Sequence, residues 1–284
     1  MPEDNIFRIL TQEYYQFTSA EKRVADYVVS NGGMAQSMSI SELAEACGVA
    51  EATISRFCRR LRYNGYAAFK LAIATSTTAR NFSNPLSGAV TEEDTISTLA
   101  GKLSASCIEA IHETQALVDP AAVRAAADVL LGAEKVLCMG EGGSMLVAQE
   151  AAHQFSTALP GYFAINDSHM QAIYASSLTE KDVIFYFSYS GTTTGLMDTL
   201  RIAKARKSPL LLVTRFPKSP GAAQADLVLQ CGSSESPLQL GSVPAKVAQL
   251  YLIDVLFSEV CRRDLEACKL RRTHVADALA EKHI

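Results

Sequence analysis

Two short loops in this 284-residue chain have the residue types and spacing to hold an anion. They are Gly140-Glu141-Gly142-Gly143-Ser144 and Ser188-Tyr189-Ser190-Gly191-Thr192-Thr193. Each follows an apolar run, is dense in glycine and hydroxyls, and leads into a segment of helical pattern. Backbone N–H groups at a helix N-terminus favour negative charge, and Ser and Thr hydroxyls add donors without adding charge. The chemistry implied is phosphate binding. Plain turns capped by Ser and Thr are the competing reading, and two such loops at successive strand ends favour the anion site. A dinucleotide fingerprint would need Gly where Met145 stands and an acid ending a following strand. No G-x-x-x-x-G-K-S/T phosphate loop occurs, which argues against an ATPase.

A second chemistry is carried by charge. The whole chain has 26 Lys/Arg and 30 Asp/Glu, a formal net charge of −4. Residues 1–80 nevertheless sum to +1 and residues 81–284 to −5. Between residues 56 and 80 stand Arg56, Arg59, Arg60, Arg62, Lys70 and Arg80, with no acid. A solvated helix face is the ordinary fate of such a run. The alternative is a footprint for a phosphate backbone, where cations gain affinity by releasing counterions.

The elements around these cations decide between the two. Val24, Tyr27 and Val28 share one face of a helix that Ser19 can cap. Ser39-Ile40-Ser41-Glu42 has capping-box spacing and opens a short helix through Leu43 and Ala44. Gly48 is suited to end it in a left-handed conformation. A second helix from about Glu51 to Leu61 turns Ile54, Phe57, Cys58 and Leu61 inward. Two short helices joined by a glycine turn form a helix-turn-helix. The second offers Glu51, Thr53, Ser55, Arg56, Arg59 and Arg60 away from its apolar stripe, groups able to bond base edges and phosphates in a major groove. Tyr66 and Phe69, at helical spacing, are expected in the core.

Residues 75–90, rich in Ser, Thr, Asn and Gly with Pro85, mark a boundary. The expected division is a DNA-binding domain over 1–78, a linker over 79–90 and a second domain over 91–284. Thr91 to Asp94 is expected to cap a long helix to about Ala116, and Asp119-Pro120 to start another. Beyond it, apolar strands at 135–139, 162–165, 182–187, 209–213 and 227–229 alternate with helices. The pattern predicts a doubly wound parallel sheet, flavodoxin-like with three layers, that binds ligands beyond the carboxyl ends of its strands.

Composition agrees with two globular domains: 48% hydrophobic and 20% charged residues exclude a disordered, collagen-like or disulfide-scaffold chain. The seven cysteines include no C-x-x-C pair and the five histidines no H-x-x-x-H pair, so no metal site is expected. The acidic start of the chain lacks the features of a secretory signal, and no apolar run reaches the ~18–20 residues of a membrane helix. A cytoplasmic protein without membrane contact and without a cofactor is expected.

Two resemblances sharpen this. From Phe17 to Ala74 the chain resembles the DNA-binding domain of the RpiR family of sugar-responsive bacterial transcription regulators, on Glu21, Arg23, Ala25, Ile40, Leu43, Ala44, Gly48, Val49, Thr53, Ile54, Arg56, Phe57, Leu61, Gly65, Tyr66, Phe69 and Lys70. It departs at Ala50, where the family usually has Ser, and at Arg62, where it usually has Gly. From about 119 to 262 the chain resembles the sugar isomerase (SIS) domain, on GEGGS, DVIFYFSYSGTTTG, Leu211-Leu212-Val213-Thr214, residues 225–229 and residues 248–256. That domain is found in isomerases and at the C-terminus of RpiR regulators.

The resemblance implies a phosphosugar held by Ser144, Ser188, Ser190 and Thr193, with Gly142 and Gly143 and the backbone of Tyr189, Gly191 and Thr192 assisting. His169, Glu235 and Lys246 are candidates for sugar contact; His169 could equally cap a helix, and the other two could be solvated charges. Lys246 stands where relatives usually have Arg. Gly195 stands where the family often has Glu, which weakens an isomerase, since isomerisation needs a positioned base. DNA contacts are assigned to Ser39, Glu51, Thr53, Ser55, Arg56, Arg59, Arg60 and Lys70. The expected protein is a homodimeric or tetrameric regulator, not an enzyme, that binds operator DNA and a phosphorylated sugar effector and acts as a repressor. A phosphosugar isomerase with an accessory helical domain, and a module controlling a protein partner, are the alternatives.

Overall fold

The structure is a computed structural model of the chain and describes residues 6–81, 90–91, 93–233, 242–280 and 282. The chain divides into two compact units, Met1–Ser106 with Ser234–Ser242, and Cys107–Ser233 with Val243–Ile284.

The first unit is helical: α1 (Ile6–Gln12), α2 (Ser19–Ser30), α3 (Gly32–Ala35), α4 (Ile40–Cys47), α5 (Glu51–Arg60) and α6 (Tyr66–Asn81). The start of α2 differs from expectation. Thr18, not Ser19, is the N-cap, because only Thr18 stands three residues before Glu21 and completes a reciprocal capping box. Ser39 and Glu42 form the same device at α4, as the spacing predicts. Gly48 ends α4 at φ +62°, and the chain turns directly into α5. Ile54, Phe57 and Cys58 are fully buried, with Val24, Val28, Leu43 and Phe69. Phe57 meets Phe17 and Phe69 edge-to-face at 5.1 and 6.0 Å. Tyr66 belongs to this core as expected, and its hydroxyl donates to the Met38 carbonyl at 3.0 Å.

Helix α6 continues to Asn81, so residues 79–81, expected in the linker, are helical. No proline stands between Pro2 and Pro85, and Thr-Ala-Arg lowers helix propensity only slightly. The next helix, α7 (Ile96–Leu117), starts later than expected. Asp94 closes a turn on the Thr91 N–H at 2.8 Å, and Thr95 accepts the Thr98 N–H at 3.2 Å as the helix cap.

The second unit follows as α8 (Pro120–Gly132), β1 (Lys135–Gly140), α9 (Gly143–Ser156), β2 (Tyr162–Ala164), α10 (Ser168–Ser176), β3 (Asp182–Phe187), α11 (Thr194–Arg206), β4 (Leu210–Thr214), β5 (Leu227–Gln230), α12 (Val243–Arg263) and α13 (Leu265–Ala280). The five strands are all parallel, in the order β2-β1-β3-β4-β5. This is the flavodoxin-like order. Side chains alternate between the two faces with the period of two of a strand. Val136, Cys138, Phe185, Phe187, Leu211 and Val213 pack with α8, α9 and α12. Leu137, Met139, Ile184, Tyr186, Leu210 and Leu212 pack with α10 and α11. β3 is buried along its whole length, as a central parallel strand must be. Helix α13 has no counterpart in the sequence reading.

Candidate functional site

The sheet order puts the two glycine-rich loops side by side. From β1 the chain crosses to β2 on one flank, and from β3 to β4 on the other. β1 and β3 are neighbours in register, with Gly140 opposite Phe187. The loops leaving them diverge to opposite faces, into α9 and α11, and open a crevice at the topological switch point.

The heads of these two helices differ from those of α8 and α10. Asp119 caps α8 and Asp167 caps α10, each through its carboxylate. Gly142 at α9 and Thr193 at α11 give no side-chain cap. Thr193 could cap by type, yet its buried hydroxyl lies beside that of Tyr186 instead. Leading N–H groups without a cap carry partial positive charge.

The second loop is held by its own bonds. Ser188 is buried and accepts the Gly191 N–H at 3.2 Å. Ser190 accepts the Thr192 N–H at 3.3 Å and its hydroxyl at 3.0 Å. The N–H groups of Gly191 and Thr192 are thus turned into the loop. Gly191 has φ +62°, and a Cβ there would collide with Ser219, so glycine is required twice over. Tyr189 points away: its hydroxyl donates to the Ser233 carbonyl at 3.0 Å, and its carbonyl accepts the Thr214 hydroxyl at 3.0 Å. In the first loop the Ser144 N–H bonds the Glu141 carbonyl at 3.1 Å.

Three residues at the switch point escape sequence reasoning. Tyr186 is fully buried, with its hydroxyl close to that of Thr193. Burial, and next the charge of Glu141, push its phenol up, against the opposing influence of the Thr193 hydroxyl. Glu141 lies against the head of α11, where a side chain on Gly195 would collide with its carboxylate. Gln171 is buried, and its amide donates to the carbonyls of Gly140 at 3.0 Å and Ile165 at 2.8 Å, tying α10 beneath the end of β1. A tyrosine within an otherwise apolar strand was the available signal for the first; the other two depend on tertiary contact.

The remaining sugar candidates are scattered. His169 is exposed in the first turn of α10, whose cap is Asp167 rather than His169. Lys246 lines an open groove of about 760 Å³ between α9, α12 and α13, with Glu150, His153 and Arg272, and none of Ser144, Ser188 or Ser190 lines that groove. Glu235 lies outside the described residues.

In the helical unit, Arg56 and Arg59 are exposed on α5, with Ser55 and Thr53 half-buried beside them. Arg56 reaches the Thr53 hydroxyl at 3.5 Å. Glu51 accepts the Ser41 hydroxyl of α4. Three expected DNA contacts are held by the fold. Arg60 bonds Glu21 at 2.8 Å and the Gln16 carbonyl at 2.7 Å, over the Phe17 ring. Ser39 caps α4. Lys70 is half-buried over the Tyr66 ring, and burial holds its ammonium below the usual range, with the Glu42 charge opposing. Arg62 is exposed at φ +66°, a left-handed backbone that favours glycine, the residue the resemblance implies at this position. Ala50 caps α5 without a side-chain bond.

The model of the rpiR-family helix-turn-helix domain matches residues 4–80, and that of the SIS domain matches residues 129–259. An HTH-type transcriptional regulator of Caldanaerobacter subterraneus subsp. tengcongensis is 31% identical over 259 residues, covering 91% of each chain. The chain belongs to the RpiR family. It is an HTH-type transcriptional regulator with a C-terminal SIS domain. HexR of Pseudomonas aeruginosa, an HTH-type transcriptional regulator, is 28% identical over 91% of this chain and 90% of its own. Vibrio vulnificus NanR, solved in complex with ManNAc-6P, has the same fold, with a TM-score of 0.86 over 99% of this chain and 100% of its own at 24% identity. The sugar isomerase domain of an RpiR transcription factor from Sphaerobacter thermophilus superposes on 63% of this chain and 98% of its own, with TM-score 0.58 and 22% identity. No helix among the described residues is long and apolar enough to cross a membrane.

Proposed function

We propose that this regulator senses a phosphorylated sugar at the β1/β3 switch point and alters its hold on operator DNA in response. The observation that carries the reading is the pair of helix heads, α9 and α11, that meet one crevice without side-chain caps, beside the buried Thr193 hydroxyl. A phosphate there would meet two helix heads that no side chain of the protein caps. Ser144, Ser188, Ser190 and Thr193 are the proposed hydroxyl contacts, with the Gly142–Gly143 backbone. That NanR was solved with ManNAc-6P supports a sugar phosphate on this fold.

The DNA contacts proposed are Thr53, Ser55, Arg56 and Arg59 of α5, with Arg62 adding a phosphate contact. A dimer would place two such helices on two half-sites. The protein is proposed to act in the cytoplasm, without a cofactor, as a binding protein and not a catalyst. Residues 1–78 would read DNA, residues 79–90 would connect, and residues 91–284 would sense. Repression relieved by the sugar is the proposed sense of the switch.

Thermal unfolding with glucose 6-phosphate, glucosamine 6-phosphate and N-acetylglucosamine 6-phosphate tests the site. At least one should stabilise the parent, and Ser190→Ala with Thr193→Ala should abolish the effect. Equal stabilisation of parent and double variant would refute the assignment, and turnover of a hexose phosphate by protein lacking DNA affinity would favour the isomerase instead.

A further inference from the structure

Hydrogen bonds join the second loop to the helix that enters the second unit. Tyr189 stands between Ser188 and Ser190 and is anchored at both ends. Its carbonyl accepts the Arg215 N–H and the Thr214 hydroxyl, each at 3.0 Å, at the end of β4. Its hydroxyl donates to the Ser233 carbonyl at 3.0 Å, and the Arg215 Nε–H donates to the same carbonyl at 3.1 Å. The Ser233 N–H donates in turn to the Glu113 carboxylate at 2.7 Å, near the end of α7. Next to it, the Gly232 N–H donates to the Thr114 hydroxyl at 3.0 Å, and a Cβ on Gly232 would collide with Glu113 and with the α7 backbone. The segment leaving β5 is thus docked directly on α7.

Ser233 is buried at φ +74°, a left-handed backbone that is costly outside glycine and persists where the surroundings hold it. Its bonds come from three places: the second loop, the end of β4 and α7. When one is lost, Ser233 can relax to negative φ and turn its peptide groups away, which gives the joint two arrangements. The chain passes from the first unit to the second within α7, between Ser106 and Cys107.

We propose that Ser233 is the joint through which occupancy of the second loop reaches α7 and, along that helix, the DNA-binding unit. Tyr189 and Glu113 are its positioning residues. A phosphate that draws on the Ser188 and Ser190 hydroxyls reorients the residue between them, and the Tyr189 hydroxyl carries that movement to Ser233. This rests on the phosphosugar reading above.

Operator affinity of the full chain, measured without sugar and with saturating glucose 6-phosphate, glucosamine 6-phosphate or N-acetylglucosamine 6-phosphate, tests it. The ratio of the two dissociation constants reads the coupling. A merely structural defect lowers the melting temperature without moving this ratio. Glu113→Leu suits a helix but cannot accept from the Ser233 N–H, and should bring the ratio about threefold or more closer to one, with sugar affinity unchanged. Tyr189→Phe should do the same to the ratio. Glu113→Gln keeps an acceptor oxygen and should retain the parent ratio. Both bonds act through Ser233, so the Tyr189→Phe, Glu113→Leu double variant should lose no more coupling than the more damaging single change. Parent-like ratios in Tyr189→Phe and Glu113→Leu overturn the proposal and leave the phosphosugar reading standing, and so does a loss in Glu113→Gln equal to that in Glu113→Leu. If none of the three sugars changes the parent's operator affinity, the phosphosugar reading itself falls, and the proposal with it.

Discussion

Helices α5 and α11 both begin without a side-chain cap, yet their surroundings suit opposite kinds of partner. Around α5 the groups left over by the fold are exposed cations, Arg56, Arg59 and Arg62. Around α11 stand buried hydroxyls, on Thr193 and Tyr186, and the Glu141 carboxylate. Mobile exposed charge suits a long polyanion, whose many phosphates reward counterion release and tolerate imprecise geometry. Fixed, uncharged donors suit one small anion, because they are oriented before it arrives and respond little to salt. Within the helical unit the fold likewise separates exposed cations from bonded ones. Arg60 carries the same charge as Arg59, but its bonds to Glu21 and Gln16 make it part of the scaffold.

The largest expected effect breaks the contrast on the DNA side. Arg56→Ala with Arg59→Ala should weaken operator binding by about 2–6 kcal/mol and flatten the dependence of log affinity on log salt by about two units per protomer on DNA. Arg60→Ala should instead lower the stability of the helical unit by about 1–2 kcal/mol and leave the salt slope nearly unchanged. Titrations of a labelled operator fragment at several salt concentrations, with urea unfolding of the free proteins, separate the two. Equal slopes for the two sets would dissolve the distinction.

A smaller effect is expected beneath the crevice. Gln171→Met keeps the volume but leaves the Gly140 and Ile165 carbonyls without their donor. Stability should fall by about 2–4 kcal/mol in urea unfolding, the penalty for orphaned buried acceptors. Phosphosugar affinity should fall as well, because Gly140 leads into the first loop. A loss of stability with unchanged affinity would detach Gln171 from the site.

The smallest effect sharpens the helical side. Arg62→Gly relieves a left-handed backbone that costs a non-glycine residue about 1–2 kcal/mol, partly offset by the entropy glycine adds to the unfolded chain. We expect a gain of about 0.5–1 kcal/mol with a modest loss of DNA affinity. Stabilisation without any loss of affinity would remove Arg62 from the DNA-facing set.

How much of this can be read before folding depends on whether the cause is local. The limits of β3 and α11 are legible because Lys181 and Ser188 bracket an apolar run, and Thr193 opens a helical period. The turn at Gly48 and the capping box of Ser39 and Glu42 are legible for the same reason. Helix α13 is not, since Cys268 is its one buried residue and no apolar stripe marks it. Arg60 reads as a free cation because its partner Glu21 lies 39 residues away. Glu141 and Gly195 meet only through the pairing of β1 with β3, and no spacing rule connects residues in separate crossovers.

The central claim is that the crevice and α5 are coupled, and one measurement addresses it directly. Fluorescence anisotropy of DNA from upstream of the protein's own gene is followed with and without a saturating sugar phosphate that stabilises the protein. A shift in operator affinity of about 5–150-fold is expected in the parent, and none in Ser190→Ala with Thr193→Ala. A sugar phosphate that stabilises the parent yet leaves operator affinity unchanged would contradict it.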